Sequence, residues 1–247
     1  MPRSNPPRPV SAFWVSALAA LAMLVGGENR VRAAEPTVIV DTAALVLDET
    51  MAIPAKAIPE ALLRRAEGVA IIPNVLKIGL IGGVSRGRGV VMIRNADGQW
   101  GEPSFVTITG GSVGFQIGAQ ATDLVLVFCT PQSVRGLMQG KLTIGADASA
   151  AAGPIGRSAT AATDGELKAE IYSYSRSRGL FAGVALDGSV LQIDSYANST
   201  FFAGRTPESA VKLVNKMNTI APWPQATARV APPDLTATGA QPVSTVA

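Results

Sequence analysis

The sequence predicts a β-rich core, either a sandwich or a barrel, with short helices before it and one helix after it. Short runs of β-branched residues separated by glycines begin at residue 69. No segment of helical length recurs regularly between these runs, which argues against a parallel α/β sheet. The 247 residues, of which 47% are hydrophobic, are enough for one domain with a large core.

Four segments have helical patterns, and two of them begin after a residue suited to capping a helix. Asp41 is the expected N-cap of the first helix and Thr206 that of the last. The first helix is acidic on its polar side and apolar on the other, and Pro54 ends it. The four predicted helices are residues 41–52, 59–68, 131–138 and 207–217.

The predicted strands are short and β-branched, and several are bounded by glycine. Asp97-Gly98 and Asp187-Gly188 are each typical of a hairpin turn between two strands. The predicted strands are residues 69–72, 90–93, 105–108, 112–120, 124–128, 142–144, 170–175, 180–186 and 190–196.

Residues 1–33 are typical of an export signal. Arg3 and Arg8 precede an uncharged, largely apolar stretch at residues 10–25, and Ala33 offers a small residue for cleavage. The stretch is shorter than the ~20 residues that usually cross a membrane, although an uncleaved anchor remains the alternative. We therefore expect an exported, periplasmic or envelope-associated protein. It would comprise one domain at residues 34–220 and a disordered tail rich in Pro, Ala and Thr at residues 221–247.

The basic character of the chain is local. The net charge of +3 belongs entirely to residues 1–33, so the rest of the chain is neutral. Within it, residues 56–94 carry a net charge of +5 and residues 34–55 a net charge of −4. A neutral exported chain is not expected to bind nucleic acid.

The reactive side chains argue against catalysis. The chain has no histidine and one cysteine, so Ser-His-Asp and Cys-His nucleophiles and histidine metal ligands are excluded. Cys129 follows an apolar strand and is interpreted as a buried, inert thiol. The acids are scattered, and no residue supports a carboxylate- or serine-dependent hydrolase. We therefore expect a non-enzymatic protein without a cofactor or a metal.

Eleven of the 25 glycines lie between residues 79 and 118. Two stretches, one within this region and one after it, resemble nucleotide-binding loops, but each departs from the required pattern. Gly87-Arg88-Gly89 has Met92 where the third glycine should stand, and Gly136 to Lys141 is one residue short of a phosphate loop. The glycines are interpreted as sites of bulges and tight bends in a curved sheet.

Two arginines within this glycine-rich stretch are candidates for anion binding. Arg86 and Arg88 are two residues apart, so in a strand their side chains share a face. A guanidinium group binds phosphate through a fork of donors, and small neighbours leave room for its approach. The alternative is a solvated strand edge that discourages sheet-to-sheet association.

A series of short motifs in a fixed order gives the chain a family resemblance. It resembles the SYLF domain family over about residues 38–204. The motifs are Leu62-Leu63-x-x-Ala66-x-Gly68 through Pro73, Lys77-x-Gly79, Gly83-x-x-x-Gly87-x-Gly89-Val90, Gly98-x-Trp100-x-x-Pro103, Gly110-Gly111-Ser112-x-Gly114-x-Gln116-x-Gly118, Thr122-Asp123, Gly153-Pro154-x-Gly156-Arg157, Tyr174-Ser175-Arg176-Ser177-x-Gly179-Leu180-Phe181-Ala182-Gly183 and Asn198-x-x-Phe201-Phe202.

The resemblance implies a fold and a function. The fold is α+β, with a curved antiparallel, barrel-like sheet, short N-terminal helices and a C-terminal helix. The family has members among bacterial envelope proteins and eukaryotic proteins of membrane traffic. The implied function is the binding of phospholipid head groups, phosphoinositides in eukaryotes, through basic residues and an amphipathic N-terminal segment. Some fungal members also bind actin, which an exported chain would not meet.

One departure from the family pattern moves the predicted binding site. The helix expected at residues 41–52 is acidic, unlike a basic helix that inserts into a membrane. The hypothesis is therefore an exported lipid-binding protein that engages anionic phospholipid head groups through a local basic patch. The alternative is an envelope structural or protein-interaction module with an unknown protein partner and no lipid ligand. The predicted lipid-binding residues are Arg64, Arg65, Lys77, Arg86 and Arg88.

Overall fold

Nine β-strands form one sheet in the part of the chain that the structure, a computed structural model, describes. The described residues are 35–52, 57–79, 82–113, 118–154, 168–177 and 180–223. The predicted export signal, most of the predicted tail and the middle of the strand predicted at residues 112–120 lie outside them. The strands are β1 (Gly68–Gly79), β2 (Gly82–Ile93), β3 (Ser104–Val113), β4 (Gly118–Phe128), β5 (Lys141–Thr143), β6 (Ala150–Ala152), β7 (Ile171–Ser177), β8 (Leu180–Gly183) and β9 (Val190–Ile193).

The first four strands form a Greek key. β2 lies between β1 and β3, and β4 returns to pair with the free side of β1, so the spatial order is β3-β2-β1-β4. β9 and then β5 extend the sheet beyond β3, and β7 extends it beyond β4. Every pairing is antiparallel except that of β6 with β7, which is parallel. The structure confirms the predicted α+β fold with a strongly curled antiparallel sheet.

A β-bulge in β1 bends the sheet. The pairing with β2 passes from Ile71–Val90 to Leu76–Arg86, so β1 has one residue more than β2 between these pairs. Asn74, in the bulge, has a φ of 51°. Gly89 lies against the bulge, where a Cβ atom would come within 2.2 Å of the Ile71 carbonyl oxygen. The bend therefore requires glycine at this position, which confirms the structural interpretation of the glycine-rich stretch there.

Two hydrophobic cores lie on opposite faces of the sheet. Along β1, Val69 and Ile71 contribute to one core, and Ala70 and Ile72 contribute to the other. The same alternation holds along β2 and β4. Both faces of these strand segments are buried, which explains why their sequences are continuously apolar rather than alternating.

Helices cover one face, here called the helix-bearing face. The helices are α1 (Pro36–Met51), α2 (Glu60–Arg65), α3 (Pro131–Met138), α4 (Ser195–Phe202) and α5 (Glu208–Ile220). Side chains of α1, α2, α4 and α5 join the core on the helix-bearing face, whereas Val134 and Leu137 of α3 join the core on the opposite face. All these elements belong to one compact unit that begins at Pro36. Within the described residues, no helix is long and apolar enough to cross a membrane.

Both predicted N-caps were wrong. α1 begins at Pro36, five residues before Asp41, because Ile39 and Val40 are buried in the core and extend the apolar side of the helix. α5 follows Pro207, which makes no capping hydrogen bond through a side chain. Thr206 instead donates its hydroxyl hydrogen to Oε1 of Glu102 at 2.5 Å.

Two further predictions near the C-terminus need correction. Asp187-Gly188 is a turn but not a hairpin, because β8 pairs with β7 and β9 pairs with β3. The strand predicted at residues 190–196 ends at Ile193. Asp194 then caps α4, which sequence reasoning missed, by accepting a hydrogen bond from the Ala197 amide at 3.0 Å.

Arg94 joins three segments at the end of the sheet where β1 begins. Its guanidinium group donates to the carbonyl oxygens of Ala66, Gly98 and Ala221 at 2.8, 2.6 and 2.8 Å. It also lies 4.0 Å from the centre of the Trp100 ring. Burial lowers the pKa of Arg94, partly opposed by the Glu67 carboxylate. This buried cation fixes α2, the β2–β3 hairpin and the end of α5 to one another.

Candidate binding surface

Strands β1 to β4 continue past their neighbours in the sheet. The pairing of β9 with β3 runs from Val106 to Thr109, and that of β7 with β4 runs from Asp123 to Phe128. The residues beyond these pairings form a four-stranded projection, here called the sheet end. It consists of residues 75–79, 82–86, 110–113 and 118–122.

Three aliphatic side chains of the sheet end are exposed together. Leu76, Ile78 and Val84 are 43%, 55% and 62% exposed. Ile78 is directly opposite Val84 in the antiparallel pairing, and all three side chains continue the helix-bearing face beyond the helices. We call these three residues the aliphatic surface. Their outer neighbours on that face, Gly111 on β3 and Ala121 on β4, are small and exposed.

Arg86 and Lys77 lie on opposite sides of the sheet end. Arg86 is exposed and directly opposite Leu76, so it borders the aliphatic surface. Lys77 is half-buried and, one residue further along β1, faces the other side. Neither forms a salt bridge with another residue that the structure describes.

Arg88 shares the face of Arg86 but is bound by a carboxylate. Its Nη2 atom lies 2.5 Å from Oδ2 of Asp194, and the two side chains are 32% and 15% exposed. Burial acts to raise the pKa of Asp194. The Ala197 amide and the Arg88 guanidinium outweigh it and hold that pKa below its ordinary value. Asp194 is therefore ionised at neutral pH and neutralises Arg88.

A second ion-pair cluster fastens α1 beside the sheet end. Arg176 of β7 donates from Nε to Oδ2 of Asp123 at 3.1 Å and pairs through Nη1 with Glu49 of α1. Asp123 also accepts a hydrogen bond from the Asn74 amide in the bulge at 2.9 Å. Lys216 of α5 pairs with Asp48. The acidic residues near the end of α1 thus have cationic partners within the domain.

Arg64 and Arg65 lie at the other end of the sheet. Both are exposed on α2, which precedes β1, and Arg64 pairs with Glu60 at 2.6 Å. At about 3.3 Å per strand residue, the length of β1 separates them from Lys77 by roughly 30 Å. The structure therefore brings Arg86 and Arg88 to one face, places Lys77 on the reverse side, and leaves Arg64 and Arg65 far away. The role of all five as lipid ligands stays a prediction.

Sequence reasoning missed the aliphatic surface and Asp194. Leu76-x-Ile78 and Val84-x-Arg86 do alternate with polar or small residues, as half-exposed strands should. The sequence did not reveal that the helices stop short of this part of the sheet. The sequence does not distinguish Asp194 from the other scattered acids, because its pattern does not predict the helix that Asp194 caps.

Many residues of the predicted family motifs have packing roles. Gly153 lies against the ring of Tyr174, where a Cβ atom would come within 2.1 Å of the ring. The Tyr174 hydroxyl donates to the Pro154 carbonyl at 3.2 Å. Asn198 accepts a hydrogen bond from the Phe105 amide at 2.7 Å. These described motif residues therefore stabilise the curled sheet and the helices packed on it.

The remaining reactive groups do not form a metal or thiol site. The described residues contain no group of three or more Cys, Asp or Glu side chains placed to hold a metal ion. Burial raises the pKa of the half-buried Cys129 thiol to about 11, so it is protonated at neutral pH. The predicted absence of enzymatic activity stays a prediction.

Comparisons with known proteins identify the family. Residues 109–230 match the family model described as Ysc84, Las17-binding protein actin regulator. β1, β2 and the first half of β3 precede this range, so the match does not include the aliphatic surface or Arg86.

Curated relatives give the same assignment. Protein YSC84 of Saccharomyces cerevisiae is 38% identical over 148 residues, which cover 59% of this chain and 31% of the relative. SH3 domain-containing YSC84-like protein 1 of Homo sapiens is 37% identical over 150 residues, which cover 60% of this chain and 44% of the relative. The matched part of the chain thus spans only 31% to 44% of the length of these relatives. The chain therefore contains a domain of the Ysc84 family, the SYLF family that the sequence motifs indicated.

Proposed function

We propose that this protein is a non-enzymatic, exported lipid-binding protein that engages anionic phospholipid through its sheet end. The aliphatic surface enters the outer acyl region of a membrane, and Arg86 contacts a head-group phosphate. One observation supports the proposal above the others. Leu76, Ile78 and Val84 are exposed on the same face as Arg86, whose charge has no acidic partner among the described residues.

The expected affinity is modest. Burying a fully exposed aliphatic side chain stabilises a complex by about 1.5–3 kcal/mol, so three roughly half-exposed side chains contribute about 3 kcal/mol together. One arginine near an anionic surface adds about 1 kcal/mol, and salt screens that contribution over about 8 Å. Binding should therefore be reversible, strongest on anionic vesicles and only moderately sensitive to salt.

The alternative is a protein-interaction module. The names of the family and of its relatives refer to Las17 binding, actin regulation and SH3 domains, and the same surface would then bind a protein. A stable protein interface buries about 800 Å² on each partner. Three half-exposed side chains provide much less than that, which favours insertion into a lipid layer.

Flotation with vesicles tests the proposal. The full chain is mixed with vesicles of equimolar phosphatidylglycerol and phosphatidylcholine, or of phosphatidylcholine alone. We expect flotation with the anionic vesicles, weaker binding for Arg86→Glu, and weaker binding for Ile78→Ser with Val84→Ser. Arg65→Glu is the matched charge control, because Arg65 is exposed at the far end of the sheet.

Three outcomes would contradict the proposal. Failure of the wild-type chain to float would overturn lipid binding and favour the protein-interaction module. Equal losses for Arg86→Glu and Arg65→Glu would contradict the placement of the site and favour a diffuse basic patch. Unchanged binding by the Ile78 and Val84 variant would remove the aliphatic surface from the mechanism.

Export rests on the sequence of residues 1–33 alone. Native mass spectrometry of the protein from the producing cell should find a chain that begins after Ala33, with bound phospholipid. An intact N-terminus would support the alternative of an uncleaved anchor, and a chain recovered from the cytoplasm would contradict export.

A further inference from the structure

Arg88 is placed to contribute to the binding surface but is held by Asp194. Arg86 and Arg88 point to the same face of β2, and two strand residues span about 6.5 Å. That distance is within the ~8 Å over which salt screens charge, so an unpaired Arg88 would interact with a membrane that Arg86 contacts. Its guanidinium group instead lies 2.5 Å from the Asp194 carboxylate.

The position of Asp194 is fixed by its own helix. Its Oδ1 atom accepts a hydrogen bond from the Ala197 amide at 3.0 Å, as the N-cap of α4. The other oxygen, Oδ2, binds Arg88, and only 15% of the side chain is exposed. Because the capping bond holds the carboxylate against the sheet, Asp194 cannot turn into solvent without uncapping α4.

We infer that Asp194 sets the charge selectivity of the sheet end by neutralising Arg88. This inference rests on the proposed function. With Arg88 neutralised, the lipid-contacting face presents Arg86 as its one unpaired arginine among the described residues. Such a surface recognises a membrane of moderate anionic charge by inserting apolar side chains and contacting one phosphate. A densely charged head group would instead require a cluster of unpaired arginines.

Asp194→Asn tests this inference. Asparagine caps helices about as well as aspartate, so α4 is preserved while the negative charge is removed. Freeing one arginine near an anionic surface should tighten binding to equimolar phosphatidylglycerol and phosphatidylcholine vesicles about fivefold. Binding to phosphatidylcholine vesicles should not change. The dependence of affinity on salt should become steeper, which a merely structural role of Asp194 would not produce.

Two further variants isolate the cause. Asp97→Asn makes the same change in net charge in the β2–β3 hairpin, at the opposite end of the sheet, and should leave vesicle binding within twofold of wild type. Asp194→Asn combined with Arg88→Gln removes the whole ion pair and should return the affinity to about that of wild type.

The outcomes separate this inference from the proposed function. If wild type binds anionic vesicles and Asp194→Asn binds no more tightly, the inference is overturned and the proposed function stands. A gain that persists in the double variant, or that also appears for Asp97→Asn, overturns it as well. If neither wild type nor Asp194→Asn binds anionic vesicles, both ideas fall.

Discussion

The two ends of strand β1 carry similar residues in opposite environments. Ile71, near its beginning, is fully buried on the helix-bearing face between the sheet and the helices. Ile78, near its end, is 55% exposed on the same face. The bulge at Asn74 lies between them, and the helices cover only the part of the sheet before it. The comparison shows that the environment of a strand residue depends on which elements cover it, because the same residue type on the same face is buried at one end of β1 and exposed at the other.

The largest expected effect comes from truncating an isoleucine to alanine near either end of β1. Ile71→Ala should lower the free energy of unfolding by about 4 kcal/mol, because it leaves a cavity in a fully packed core. Ile78→Ala should change it by less than about 0.5 kcal/mol but weaken vesicle binding. Chemical denaturation and flotation measure the two effects. A large stability loss for Ile78→Ala would show that the sheet end is covered in solution.

Substitution of two glycines compares the packed part of the sheet, at the bulge in β1, with the exposed sheet end. Gly89→Ala should cost about 3 kcal/mol of stability, since its Cβ would meet the Ile71 carbonyl oxygen at 2.2 Å. Gly111→Ala on the sheet end is the control, because its Cβ comes within 4 Å of no described atom. It should be neutral within about 0.5 kcal/mol. Thermal unfolding of both variants measures the difference, and equal losses would contradict the role of the bulge.

A third expected effect distinguishes the buried Arg94, at the end of the sheet where β1 begins, from the exposed arginines. Arg94→Ala should destabilise the fold by about 2 kcal/mol, because it leaves buried carbonyl oxygens of Ala66 and Ala221 without their donor. Arg65→Ala, an exposed neighbour at the same end, should change stability by less than about 0.5 kcal/mol. Urea denaturation gives both values. If the two variants are equally stable, Arg94 does not fasten the segments it contacts.

The smallest expected effect is the pH dependence of the stability that the ionised Asp194 carboxylate contributes. Because the pKa of Asp194 lies below its ordinary value of 3.8, its ionised form stabilises the folded state. That contribution is present above pH 3.8 and is lost as the pH falls from there through the lower pKa of the folded protein. Wild type should therefore be more stable than Asp194→Asn at neutral pH, and the difference should shrink below about pH 4. A difference independent of pH would mean that the charge contributes nothing.

Much of the fold could be predicted because the local signals agree with the packing. The apolar run at residues 124–128 indicates a strand buried on both faces, and β4 is such a strand. Asp97-Gly98 joins β2 to β3, with Gly98 at a φ of 81°. Predictions failed where a residue had more than one possible local role. Asp194 suits the end of a strand, a turn or a helix cap, and only the contact with the Ala197 amide decides among them.

The candidate site was only partly predictable for a physical reason. Arg86 and Arg88 were expected on one face from their spacing, and the structure places them there. Their different charge environments could not be foreseen, because Asp194 is 106 residues from Arg88 in the chain. Arg64 and Lys77 are close in sequence, yet an extended strand carries them to opposite ends of the sheet.

The sequence by itself determined the β-rich core, the absence of histidine chemistry, the neutral charge of the chain after residue 33 and the family of the domain. These follow from composition, periodicity and local motifs. Only the tertiary structure decided which cations are neutralised and which aliphatic side chains stay exposed. Both depend on contacts between residues far apart in the chain, and neither a local pattern nor a charge count contains that information.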